Sequence, residues 1–272
     1  MIPSWREIGD RVYVRRHSCY DVNVGLVVGT GRCLVIDTLS THEQARELIE
    51  AIRTVTAEPW TVLNTHFHFD HCFGNAIFRP APIVGHFRTV QGLNESGATQ
   101  RQTVREMAVQ QGNHDFAEQL AAVDIDPPDQ ALEHTTELDI GGRRITAHYL
   151  GRGHTDGDLV VEVADSAVLF TGDLIEEGAP PSFEDSFPLD WPGTASALLP
   201  LAHGAVVPGH GDVVDREFIE RQAGDLARVA EHARILHAAG RGVSESFGGL
   251  PFPETAARIA LDRALWQLDP RP

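Results

Sequence analysis

Residues 66–71 read His-Phe-His-Phe-Asp-His, which places three imidazoles and a carboxylate inside six positions. The segment follows a short apolar run at 60–63 that has the length and composition of a strand. Loops beyond strand ends are where layered α/β proteins usually build ligand sites. Alternate residues of an extended stretch share a side. His66 and His68 can therefore reach one ion together, while Asp70 and His71 turn toward a second. Neutral imidazole and carboxylate are ligand types that zinc accepts. The competing reading, a chance group of solvated histidines, sits poorly with such a density of donors.

Three later residues extend the pattern, each beside a glycine and after an apolar run. They are His154 in Gly-Arg-Gly-His-Thr-Asp-Gly, Asp173 in Phe-Thr-Gly-Asp-Leu, and His210 in Val-Pro-Gly-His-Gly. Any one of them alone reads as an ordinary capped or hydrogen-bonded loop residue. Taken with the first cluster, they complete the ligands for two ions.

The rest of the chain is organised as two similar halves. Val22–Val28 and Cys33–Ile36 flank Gly29-Thr30-Gly31-Arg32, a hairpin signal. Thr41 can cap a helix over 43–55, whose apolar stripe is Ala45, Leu48, Ile49 and Ile52. The second half gives hairpins over 138–149 and 159–170, a helix over 194–201 and a strand over 205–207. Further helices are expected over 101–123, 216–239 and 253–268. No flexible or charged linker separates them, so one domain over residues 1–272 is expected. Its core spans about 10–212, with a helical insertion at about 88–130 and C-terminal helices at about 215–268.

Composition narrows the function. The net charge is −17 and the basic residues are all arginine, since lysine is absent. Mechanisms that need a lysine Schiff base or a P-loop lysine are excluded. An acidic surface disfavours nucleic acid and anionic membranes as partners; a small-molecule substrate is expected. Three scattered cysteines form neither a disulfide framework nor a thiolate zinc site. With no signal-like apolar stretch at the start and no membrane-length run, the expected location is the cytoplasm.

The succession His-x-His-x-Asp-His, Gly-His-Thr, Thr-Gly-Asp and Pro-Gly-His-Gly resembles the metallo-β-lactamase superfamily, from about residue 22 to 211. The resemblance implies an α/β architecture, a four-layer αββα sandwich with the metals at one edge of the two sheets. It implies two Zn2+, with Fe or Mn as alternatives. His66, His68 and His154 would hold one ion, Asp70, His71 and His210 the other, and Asp173 would bridge them. Asp37, in Val-Ile-Asp-Thr, matches a motif that supports the ligands from behind; a helix-capping or turn role is the alternative. The implied activity is metal-dependent hydrolysis by a metal-bridging hydroxide, with Asp70 as the catalytic carboxylate.

The substrate is expected to be a small ester, thioester or lactone. Asp173 stands where dedicated β-lactamases of the superfamily carry cysteine or serine, so β-lactam opening is expected only as promiscuity. A non-heme iron oxidoreductase resembling persulfide dioxygenases is the alternative. In the segment 176–191, Phe183, Phe187 and Trp191 either line an apolar substrate mouth or pin the loop to the core. Monomer and homodimer both remain open.

Overall fold

Alternation of apolar side chains along each strand decides which layer it faces. The computed structural model describes residues 4–243 and 248–269; residues 1–3, 244–247 and 270–272 of the expected domain lie outside the described residues. Seven strands come from the first half: β1 (Arg6–Gly9), β2 (Val12–His17), β3 (Val22–Val28), β4 (Cys33–Ile36), β5 (Trp60–Leu63), β6 (Ile83–His86) and β7 (Gln130–Leu132). Five come from the second: β8 (Thr136–Ile140), β9 (Arg143–Tyr149), β10 (Leu159–Val163), β11 (Val168–Glu176) and β12 (Ala205–His210). Hydrogen bonding runs β7-β6-β5-β4-β3-β12-β11-β10-β9-β8, with β2 on β3 and β1 on β2. The two halves join in this path where His210 of β12 lies opposite Val22 of β3.

The helices are α1 (His42–Val55), α2 (Phe69–Cys72), α3 (Asn75–Phe78), α4 (Phe87–Gln110), α5 (His114–Ala121), α6 (Trp191–Ser196), α7 (Arg216–Ala238) and α8 (Glu254–Leu268). One face of the first sheet (Val24, Leu26, Val35, Val62) packs on Leu48 and Ile52 of α1. Its other face (Val27, Leu34, Ile36, Leu63) meets Val161, Phe170 and Val207 of the second sheet. The outer face of the second sheet (Val160, Leu169, Val206) packs on Leu226, Val229 and Leu261 of α7 and α8. Two helical layers thus enclose two sheets, the αββα sandwich. Gly25 lies where the sheets meet, and a Cβ there would stand 2.6 Å from the Phe170 ring. No helix among the described residues is long and apolar enough to cross a membrane.

Four elements differ from the sequence expectation. The helix expected over 101–123 is two helices. α4 begins at Phe87 and ends where Gly112 takes φ 75°, and Asn113 then caps α5 by accepting from Phe116 N–H. The helix expected over 194–201 is a shorter α6, ending at Ser196. β11 and β12 both continue past their apolar stretches, pairing in parallel out to Glu176 and His210. Asp173 and His210 therefore lie within strands rather than in the loops that follow them.

Candidate metal centre

β5 ends at Leu63, and the chain crosses to α2 through an extended stretch that carries His66 and His68. His68 occupies the N-cap position of α2, and Asp70 and His71 sit inside this single turn. Neighbouring helical positions point about 100° apart, so the turn separates the second pair of donors from the first. His154 lies in the β9–β10 connection, folded by Asp158, which accepts from Thr155 N–H at 2.9 Å and Thr155 Oγ1 at 2.6 Å. Asp173 follows Gly172, whose φ of 51° accompanies a register shift that turns the strand. Gly209 is required by proximity: a Cβ there would lie 1.7 Å from Asp173 Oδ1.

All seven expected ligands converge. Donor atoms of His66, His68, His154 and Asp173 lie within 4.8 Å of one another, and so do those of Asp70, His71 and His210. His154 Nε2 is 2.7 Å from His68 Nδ1, and His71 Nε2 is 3.4 Å from His210 Nε2. Asp173 stands between the groups, with Oδ2 3.4 Å from His154 Nε2 and 3.1 Å from His210 Nε2, and Oδ1 3.2 Å from His71 Nε2.

The ring nitrogens that face away from the centre are each engaged by oxygen. His66 Nδ1 is 3.0 Å from Thr65 Oγ1, which donates onward to Asp37 Oδ2 at 2.8 Å. His68 Nε2 is 3.1 Å from both Asp185 oxygens, and His71 Nδ1 is 2.8 Å from Asp37 Oδ2. His154 Nδ1 meets Ser182 O at 3.3 Å, and His210 Nδ1 donates to Tyr20 O at 2.6 Å. Outward N–H groups held in this way leave the inward nitrogens as lone-pair donors.

Two buried inward atoms, His66 Nε2 and Asp173 Oδ1, have no hydrogen-bond partner. Buried polar atoms are almost always satisfied, so five imidazoles and two carboxylates with inward orphans fit divalent cations. Zinc, iron and manganese all accept these ligand types.

Without cations the residues divide protons among themselves. Burial pulls His66 well below the ordinary imidazole range and brings His154 to about 4. Burial also opposes charge on His68, His71 and His210, but neighbouring carboxylates outweigh it. Asp185 lifts His68 to about 9, Asp173 lifts His71 well above its usual value, and Asp173 lifts His210 to about 10. Burial resists ionisation of Asp173, yet His210, His71 and His66 hold it well below the carboxylate range.

A model of the metallo-beta-lactamase superfamily matches residues 17–210. The chain belongs to that superfamily. Over 202 residues it is 25% identical to "Metallo-beta-lactamase type 2" of Bacillus cereus, covering 72% of this chain and 69% of that protein. It is 24% identical to the human "Acyl-coenzyme A thioesterase MBLAC2", covering 94% of this chain and 96% of the relative. The solved DIM-1 metallo-beta-lactamase superposes with TM-score 0.64 at 20% identity, covering 85% of this chain and 100% of that one. A double mutant of the sec-alkyl sulfatase PisA1 superposes with TM-score 0.76 at 18% identity, covering 98% of this chain and 50% of that one.

The remaining expected residues lie around this centre or behind it. Asp37 is buried, with φ of 67°, and both its oxygens support the centre: Oδ1 accepts from Thr65 N–H, and Oδ2 serves Thr65 Oγ1 and His71. Phe183 and Trp191 do not line the cleft above the donors. They lie in the core between β11 and the C-terminal helices, and the Trp191 indole N–H donates to Leu174 O at 3.1 Å. Phe187 also stays out of that cleft, under the Arg152 guanidinium beside a smaller neighbouring cavity. Large apolar rings in a short irregular segment gain more from core burial than from facing water. The same segment supplies the carboxylate that sequence reasoning passed over, Asp185 on His68; its acidic residues were the available signal.

Proposed function

We propose that the chain is a dinuclear zinc hydrolase that cleaves a small ester, thioester or lactone. The carrying observation is the pair of donor groups that share Asp173, with orphaned inward atoms at His66 and Asp173. His66, His68 and His154 would hold one ion, Asp70, His71 and His210 the other, with Asp173 between them. Bound divalent ions supply a water acidified from a pKa of about 15.7 to roughly 7 and a Lewis acid for the substrate oxygen. The residues supply the rest. Asp37, Asp185 and Tyr20 O fix the ring orientations of His71, His68 and His210. Asp70 lines the cleft, its Oδ2 3.5 Å from His210 Nε2. It is placed to take a proton from the attacking water and return it to the leaving group.

The human relative, which aligns over nearly all of both chains, supports a thioester as the scissile bond, without fixing the leaving group. The strongly acidic composition argues against nucleic acid and anionic membranes as partners. Elemental analysis, with hydrolysis of a thioester, lactone, phosphodiester and β-lactam panel on the same sample, tests the reading. About two zinc ions per chain and turnover abolished by chelation are expected. One iron per chain without hydrolysis would overturn it. Asp70→Asn should lose far more turnover than metal, turnover falling by a factor of about 10²–10⁴; retained turnover would remove Asp70 from its role.

A further inference from the structure

The cleft over the donors carries a charge pattern that metal binding does not require. It encloses about 650 Å3, and beside the donors it is lined by Tyr20, Phe67 and Phe69 and by Asp21, Glu177 and Glu184. Among the described residues that line it there is no arginine, and lysine is absent from the chain. Asp21 is matched by Arg16 at 2.5 Å. Glu177 and Glu184 instead meet neutral donors, Asp212 N–H at 2.7 Å and the Ser182 hydroxyl at 2.6 Å. Neither glutamate forms a salt bridge among the described residues, although Arg16 lies close enough to Glu177 to feel its charge.

The aromatic side is held with equal care. Tyr20 and Asp21 are successive non-glycine residues at φ 58° and 60°, a backbone that costs energy and persists only when its surroundings enforce it. His210 Nδ1 donates to Tyr20 O at 2.6 Å, and Gly211 N–H donates to Asp21 O at 3.3 Å. Tyr20 is 40% exposed, and its ring meets the Phe69 ring edge-on at 4.9 Å. Ring faces attract a cation through their quadrupole, and nearby carboxylates balance its charge. The donor floor would hold cations, which would in turn stabilise an oxyanion, whereas the rim is acidic and aromatic.

We propose that the cleft selects acyl substrates whose non-reacting end carries an ammonium group, recognised by Tyr20, Phe69, Glu177 and Glu184, and rejects those whose non-reacting end is anionic. The proposal rests on the hydrolase reading for the scissile group alone. A coenzyme A thioester, with its phosphates, falls on the rejected side.

The test uses the zinc-loaded full chain and three octanoyl amides that end in trimethylammonium, methoxy or sulfonate, with affinity measured by calorimetry. Cationic above neutral above anionic is the expected order, with a spread that narrows as salt is added. Each solvent-accessible carboxylate contributes up to about fivefold, so Glu177→Gln with Glu184→Gln should cut the cationic-to-anionic affinity ratio about tenfold. Tyr20→Leu should lower the cationic-to-neutral ratio. An anionic probe that binds as tightly as the cationic one, or a ratio untouched by the double substitution, overturns the proposal. The matched esters separate the two readings. Ammonium-selective binding with no ester cleaved would overturn the hydrolase and sustain the selectivity; cleavage that favours the sulfonate ester would do the reverse.

Discussion

Replacing Asp37 with asparagine should separate metal affinity from fold stability. Asp37 accepts hydrogen bonds from Thr65 N–H, Thr65 Oγ1 and His71 Nδ1, each at 2.8 Å. The asparagine oxygen can keep the first of these. Its NH2 group then faces the two donors that Oδ2 served, and His71 Nδ1–H loses its acceptor. A hydrogen bond to a charged group contributes about 1.5–3 kcal/mol, or roughly 10–150-fold in affinity. That range overlaps the roughly 10–100-fold measured for partners standing behind metal ligands.

Stability of the metal-free protein should move differently. Burial raises the Asp37 pKa above its ordinary value although His71 and Thr65 pull it down. A carboxyl whose folded pKa exceeds the unfolded one is held ionised at a cost at neutral pH. The asparagine variant removes that cost, which offsets the lost hydrogen bonds. Competition with a chromophoric chelator should show the ion at the His71 group weakened about 10–100-fold, with the ion at His66 less affected. The melting temperature in excess chelator should stay close to the parent's. Unchanged affinity, or affinity and stability falling together, would refute the reasoning.

Loading the metal-free protein near pH 7 should release protons, because His68 (about 9), His210 (about 10) and His71 (well above its usual value) then hold them. Affinity should therefore rise with pH up to about 9–10, and calorimetry in buffers of different ionisation enthalpy counts the protons. Gly209→Ala should lose metal and turnover together, since its Cβ would sit 1.7 Å from Asp173 Oδ1; a fully loaded variant would contradict this crowding. Phe183→Ala should destabilise by about 3–5 kcal/mol with KM unchanged, as expected of a core ring; a raised KM would return Phe183 to the substrate.

Much of the site was legible because its signals are local. Six residues carry four donors at 66–71, and the glycines beside His154, Asp173 and His210 mark places where backbone comes close. The hairpins were legible from alternation and turn residues. What escaped the sequence depends on contacts between distant segments. The start of α4 at Phe87 was obscured by Gly92 and Gly97, which weaken local helical preference. The fold needs both: a Cβ would stand 2.8 Å from the Phe67 ring at Gly92, and 3.1 Å from Ile125 at Gly97. Asp185 reaches His68 across 117 residues of chain, a pairing no spacing rule announces. For Phe183, Phe187 and Trp191 the segment offered two fates, and only the packing against α7 and α8 chose the core for Phe183 and Trp191.

The junction between the two halves gives the centre a mechanical role. β3 and β12 meet at Val22 and His210, the latter itself a donor. The first half contributes His66, His68, Asp70 and His71, and the second contributes His154, Asp173 and His210, so neither half owns a complete cage. An ion held there would tie the two halves together beside their join. A ligand at about a thousand times its Kd adds about 4 kcal/mol to the folded state, and here that increment falls at the end of the sandwich where the backbone ladder is thinnest. Chelation should loosen the halves from that end first, which makes the intactness of the join a direct gauge of metal supply.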